Sequence, residues 1–196
     1  MPKLKFDGGK RMFSFVGNTD PRQNVAAILL AFEKLWDDGV DAPLTILGAN
    51  GDQAPVEASI VERLRGREPF NQMDKATDGF VRHILNESRA TISVGSAEGF
   101  GIAAYESLHA GVPVIALKGI PSLDLISPGG RLTIDAATPD LIANAVRKLL
   151  DDRIAEGLWN DAAGLQIPTW KGFVKQLAKW LQGEIGTMKP GEHDGK

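Results

Sequence analysis

The chain has 196 residues, 43% apolar and 24% charged, with a net charge of −3. That describes one ordinary globular domain, or one domain with tails, large enough for a sizeable core. The acid excess gives no footprint for a nucleic-acid partner, the lack of cysteine excludes disulfides and thiolate metal sites, and no run reaches the length of a membrane span.

The N-terminus, MPKLKFDGGKRM, lacks the apolar centre of a signal peptide, and residues 1–10 are expected to be a linker or chain end. Phe13 to Gly17 predicts a buried strand. Asp20-Pro21 then predicts a helix start, with Asp as N-cap and Pro at the first helical position. Val25, Ile28, Leu29, Phe32, Leu35 and Trp36 follow at helical spacing as one apolar stripe. Leu44 to Leu47 is the next expected strand, ended by Gly48, with a plain turn over residues 48–52. Val56 to Leu64 predicts a helix, Arg67 to Phe70 a short strand, Asp78 to Glu87 a helix and Ala90 to Val94 a strand.

A helix is expected after Gly101, then strands at Val112 to Leu117 and Arg131 to Ile134. Thr138-Pro139 caps a further helix with the stripe Leu141, Ile142, Ala145, Val146, Leu149 and Leu150. Trp170 to Leu181 reads as the last helix, with Phe173, Val174, Leu177, Trp180 and Leu181 on one face. The domain is expected to span residues 11–185, with a flexible tail over 186–196. Strands alternating with helices predict an α/β fold with a doubly wound parallel sheet of Rossmann-like type. Ligands of such sheets sit outside the carboxyl ends of the strands. The turns at 17–24, 48–52 and 95–101 all fall at that edge.

The stretch from Ser93 to Ala116, SVGSAEGFGIAAYESLHAGVPVIA, is the richest in chemistry. A strand runs into a glycine-containing turn and a helix N-terminus, where backbone N–H groups and the positive helix end favour an anion. Gly99 and Gly101 allow a ligand close to the backbone. Glu98 in the turn and Glu106 two turns along the helix are both acceptors for hydroxyls. Phosphate on amides and hydroxyls on carboxylates together describe a nucleotide-sugar. No group of residues has metal-ligand spacing, and His83 and His109 read as structural or surface residues.

The run E-G-F-G-I-A-A-Y-E followed by S-L-H-A-G-V-P-V-I-A resembles the Glu-x7-Glu signature of retaining glycosyltransferases with the GT-B fold. It is most similar to glycosyltransferase family 4, the glycosyltransferases group 1. The likeness runs from about Phe13 to Gly183 and includes FSFVGNTDPRQNVAAILLAFEKL and the late Trp170. It implies that the chain is one half of a GT-B fold, the half that binds a nucleoside-diphosphate sugar. Transfer of a hexose-type sugar to a glycan, lipid or other acceptor would then need the acceptor half, in the same chain or a partner. Polysaccharide biosynthesis in the cytoplasm is the implied setting, with peripheral contact at the inner face of a membrane open to the parent protein. No cofactor or metal is implied.

The resemblance also assigns residues. Glu98 matches the first signature glutamate, near the transferred sugar, and is the expected catalytic group. Glu106 matches the second, which holds the ribose hydroxyls. Gly99, Phe100, Gly101 and Ile102 complete the donor-binding turn. Gly17, Asn18, Arg22 and Gln23 match the family turn G-x-x-x-P-R-K-N, whose basic residues hold the diphosphate. Gln23 stands where the lysine would be, Asn18 where some members have arginine, and Ser122 where a glutamate is usual. Gln23 has an alternative role, closing a capping box with Asp20. A non-catalytic nucleotide-sugar binding module is the rival reading for the whole chain.

Overall fold

In the computed structural model, residues 3–48, 55–97 and 100–187 are described. Six parallel strands form one sheet: β1 (Met12–Val16), β2 (Leu44–Leu47), β3 (Phe70–Met73), β4 (Ser88–Ser93), β5 (Val114–Leu117) and β6 (Arg131–Ile134). Their order across the sheet is β3-β2-β1-β4-β5-β6, the doubly wound arrangement. The chain builds outward from β1 to β3, then returns to β4 and builds the other way. The switch point therefore lies between β1 and β4, where a crevice opens outside the strand ends.

The helices are α1 (Val25–Asp37), α2 (Pro55–Leu64), α3 (Asp78–Glu87), α4 (Ile102–Ala110), α5 (Pro139–Leu149), α6 (Asp152–Gly164) and α7 (Trp170–Thr187). The expected stripe of α1 is the observed one: Val25, Ile28, Leu29, Phe32 and Leu35 are buried. They meet Phe13 and Phe15 of β1, Leu44 and Ile46 of β2, and Ile142, Val146 and Leu149 of α5 in one core. Strands β2 and β4 are buried throughout, as strands covered on both faces must be.

Four local expectations differ from the structure. The strand expected at Arg67 to Phe70 lies at Phe70–Met73 instead, because Arg67 closes a turn on Leu64 and Phe70 one on Arg67. Asp20 and Pro21 begin a 3-10 turn over Pro21–Gln23, not α1 itself. α1 starts after Asn24, which holds a left-handed conformation at φ 56°. Helix α6 has no counterpart among the expected elements. Its turn is set by Asp151, whose carboxylate accepts from Arg153 N (2.9 Å) and Ile154 N (3.4 Å).

Residues 3–10, expected as linker, lie against the domain. Leu4 N donates to Ala110 O (2.7 Å), and Lys3 Nζ donates to Ala162 O (2.6 Å) and Leu165 O (2.8 Å) at the end of α6. Burial lowers the pKa of Lys3. Buried Arg89 gathers the same segment, donating to Leu149 O (2.6 Å), Lys10 O (3.2 Å) and Asp152 Oδ1 (2.6 Å), with its guanidinium 5.4 Å from the Phe6 ring centre. The chain divides into two compact units, residues 1–165 and 166–196. In the second, Thr169 caps the first turn of α7 through Gly172 N (3.1 Å).

Candidate functional site

The switch point brings together the two turns that carry the sequence signals. β1 and β4 are neighbours, so the turn after Val16 and the turn after Ser93 leave the sheet side by side. Three hydrogen bonds join them. Ser96 N donates to Arg22 O (2.8 Å), Ser96 Oγ donates to the same carbonyl (3.1 Å), and Asn24 Nδ2 donates to Val94 O (2.7 Å). Asn24 is thus a positioning residue that the sequence reading passed over. Its signal was available: Asn is among the few side chains that tolerate the left-handed region.

Gly48, which follows β2, supports the first turn from behind. A Cβ placed on Gly48 would stand 1.5 Å from Gly17 O and 3.4 Å from Asn18 N. No side chain fits there, so glycine after β2 is what lets the 17–24 turn pack back onto the sheet edge. Gly17 N donates to Leu47 O (2.9 Å), continuing the β1–β2 ladder to this point. Residues 49–52 of the expected turn lie outside the described residues.

Within the 17–24 turn, Asp20 is the cap. Its Oδ1 accepts from Arg22 N (2.9 Å), and its carboxylate takes the Arg22 guanidinium in a two-pronged pair, 2.8 Å to Nε and 2.7 Å to Nη2. These bonds hold the Asp20 carboxyl well below the usual carboxylate range, at about 2, and raise Arg22. Arg22 and Asn18 are exposed, and Asn18 Oδ1 accepts from Asp20 N (3.4 Å). Gln23 donates its backbone N–H to Asp20 O (2.8 Å). Its side chain bonds no described residue, so the capping box proposed for it does not form. Thr19 is buried at 1% exposure, with Oγ1 lacking a hydrogen-bond partner.

On the other side, Gly101 caps α4 at φ 69°. It brings no side chain to the helix end, which leaves the first amides of α4 facing the turn. A Cβ at Gly101 would stand 3.1 Å from Ser122 Oγ and 3.3 Å from Ile120 Cγ2. Ser122 therefore lies directly against the α4 N-terminus, 2% exposed, with its own hydroxyl unpaired. Tyr105 Oη donates to Ser122 O (2.9 Å), and burial raises the pKa of that phenol. Phe100 and Ile102 are exposed (50% and 63%), and the Phe100 ring packs 5.1 Å from that of Tyr105. Glu106 is exposed on α4. Glu98 and Gly99 lie outside the described residues. A separate cavity of about 330 Å³ along edge strand β3, lined by Val61, Arg65, Phe70, Asn71, Gln72 and Asp74 among others, takes no residue from these turns.

The described parts of this arrangement can hold an anion and a polyol together. An exposed arginine on one of the joined turns, a glycine-capped helix end after the other and an exposed carboxylate on that helix are the groups such a ligand needs. Comparison with known proteins gives the family. Residues 1–163 match the family described as Glycosyl transferases group 1. Serotype-specific mannosyltransferase WbdA of Escherichia coli is 32% identical over 142 residues, 70% of this chain and 17% of that protein. A GDP-mannose-dependent alpha-(1-6)-phosphatidylinositol dimannoside mannosyltransferase of Mycobacterium tuberculosis is 30% identical over 121 residues, 61% of this chain and 30% of that protein. The chain thus spans less than a third of either relative. Among solved structures, the C-terminal domain of a glycosyl transferase group 1 protein (LpcC) of Francisella tularensis superposes with a TM-score of 0.68 at 13% identity, over 83% of this chain and 84% of that one. The sheet is a Rossmann-like half of the GT-B fold, and the chain belongs to the glycosyl transferases group 1.

Proposed function

We propose that this chain is the nucleotide-sugar-binding half of a retaining mannosyltransferase, with GDP-mannose as the donor. The observation that carries the reading is the joining of the 17–24 and 95–101 turns at the switch point by Asn24 and Ser96. The sequence relatives named as mannosyltransferases supply the sugar, and the one named as GDP-mannose-dependent supplies the base.

In this reading the diphosphate lies on the N-terminus of α4, with Arg22 offering positive charge to the leaving group. Glu106 accepts hydrogen bonds from the ribose hydroxyls. Glu98 sits by the transferred sugar and stabilises positive charge that develops at the anomeric carbon. The acceptor is held by a second half, in the same chain or a partner, and no metal takes part. Gln23 leaves the diphosphate with one cation fewer than the family turn provides, which favours weak donor binding over its loss.

A thermal-shift panel of GDP, UDP and ADP, each with and without its sugar, tests this. The best ligand at a hundred times its dissociation constant raises stability by about 2.7 kcal/mol. GDP and GDP-mannose giving the largest shifts is the expected result. A larger shift with UDP compounds would reassign the base. No shift with any nucleotide would reject donor binding.

A further inference from the structure

We infer that the Ser122 hydroxyl is a further contact for the bound diphosphate, donating to a phosphate oxygen held at the N-terminus of α4. The inference deepens the donor reading above and rests on it. Among the described residues, three buried side-chain atoms have no hydrogen-bond partner: Thr19 Oγ1, Glu57 Oε2 and Ser122 Oγ. All three lie in segments that leave the carboxyl ends of strands, after β1, β2 and β5, the edge where ligands of such a sheet sit. Buried hydroxyls deeper in the fold are satisfied. Ser14 and Ser88 bond each other (2.7 Å), Thr91 donates to Ser107 (2.8 Å), and Ser107 donates to Val112 O (3.0 Å). An unpaired buried hydroxyl costs stability, so one at the ligand edge calls for a partner that the free chain lacks.

Of the three, Ser122 stands at a helix end. Its Oγ is 3.1 Å from where a Cβ on Gly101 would be, and Gly101 caps α4 without a side-chain bond. Such an end favours an anion. A hydroxyl beside it adds an O–H donor, and bonds to charged oxygens are the strong ones. The Ser122 backbone is already anchored. Its carbonyl accepts from Tyr105 Oη (2.9 Å) and Leu125 N (3.2 Å), and Arg131 Nη1 donates to Leu123 O next to it. The hydroxyl is left unused, a donor held in place before the ligand arrives. Ser122 is 2% exposed, so contact takes a shift of the turn over it. The unpaired hydroxyl favours that shift, because opening gives it a partner.

The test compares the full chain with Ser122→Ala and with Ser107→Ala, which deletes a satisfied hydroxyl from α4 itself. Melting temperature is measured without ligand, and affinity by calorimetry for GDP, pyrophosphate and guanosine. Ser122→Ala is expected to melt at or above wild type, because the deleted hydroxyl has no partner. It should bind GDP and pyrophosphate about tenfold or more weaker, the scale of a hydrogen bond to a charged oxygen. Its affinity for guanosine should not change. Ser107→Ala should show the reverse, a lower melting temperature and wild-type affinity for GDP. Unchanged affinity of Ser122→Ala for GDP, with wild type binding it, would overturn the Ser122 contact and leave the donor reading standing. A lower melting temperature in Ser122→Ala would overturn the contact too, by giving the hydroxyl a partner inside the free chain. So would an equal loss for guanosine. A wild-type chain that binds neither GDP nor pyrophosphate would overturn the donor reading and this inference with it.

Discussion

At the scale of single residues, the Asp20–Arg22 pair governs how much positive charge the candidate diphosphate site presents. The carboxylate satisfies the first amide of the turn and holds both prongs of the guanidinium. Its pKa near 2 sits below the unfolded value of about 3.9. Its contribution to stability is therefore complete above about pH 4 and is lost as pH falls from there through 2. Carbon-detected NMR titration should place the Asp20 midpoint near 2. A midpoint near 4 would show that the pair is not formed in solution. Asp20→Asn keeps a good cap and frees Arg22. Nucleoside diphosphate should then bind severalfold tighter, more so at low salt, while nucleoside without phosphate is unaffected. An equal change for both ligands would remove Arg22 from the diphosphate.

The residue scale also shows where sequence reading stopped. Arg22, Gly101 and Glu106 were named from their motif, and the structure shows the turn that carries Arg22 bonded to the turn that leads into α4. Gln23 was equally visible but ambiguous. Only the structure shows that the Asp20 N–H, the donor a capping box would give to the Gln23 side chain, is turned to Asn18 Oδ1 instead (3.4 Å). An asparagine suited to a left-handed turn was visible at position 24, but its bond was not, because its partner, the Val94 carbonyl, is 70 positions away and periodicity carries no information about such contacts.

At the scale of elements, glycine decides whether the site turns can nest. The same substitution should act with opposite sign at two places. Gly48→Ala would drive a methyl group to 1.5 Å from Gly17 O. Backbone cannot yield there cheaply, and a loss of about 3 kcal/mol is expected, the upper part of the overpacking range. Gly157→Ala on the exposed face of α6 meets nothing within 4 Å and should gain about 1 kcal/mol through helix propensity. Urea unfolding of both variants checks this. Wild-type stability in Gly48→Ala would contradict the packing of Gly48 against Gly17.

The elements that were legible are those with strong local signals. The stripe of α1, the Thr138-Pro139 cap of α5 and the β-branched run of β4 needed no long-range information. α6 escaped because aspartates and small residues dominate DDRIAEGLWNDAAG, and buried Ala155, Trp159 and Ala162 give only a thin stripe. β3 was placed three residues early because Phe70 was read as its end instead of its start. It is an edge strand of mixed polarity, FNQM, and what fixes it is pairing with β2, not pattern.

At the scale of the molecule, alternating β and α units predict a parallel sheet, and the strand order sets where its switch point lies. The sequence reading placed its candidate turns at the carboxyl ends of strands, and the described residues 17–24, 48 and 95–97 do follow β1, β2 and β4 there. What it left open was which two turns meet, which depends on β1 and β4 being neighbours. The half-enzyme reading makes its own prediction. The 196-residue chain should transfer no mannose from GDP-mannose to any acceptor by itself, because the geometry that positions both reactants is shared with a second half. A radiolabel transfer assay giving robust product from the purified chain would refute it.

The central claim is that α4 and the two joined turns hold a nucleoside diphosphate, with Glu106 on the ribose. Calorimetric titration of GDP into the wild-type chain and into Glu106→Ala tests it most directly. A charged hydrogen bond is worth roughly 1.5–3 kcal/mol, so the account predicts at least a tenfold loss of affinity, with the variant's melting temperature unchanged because Glu106 is exposed. Equal affinity for the two proteins would contradict it.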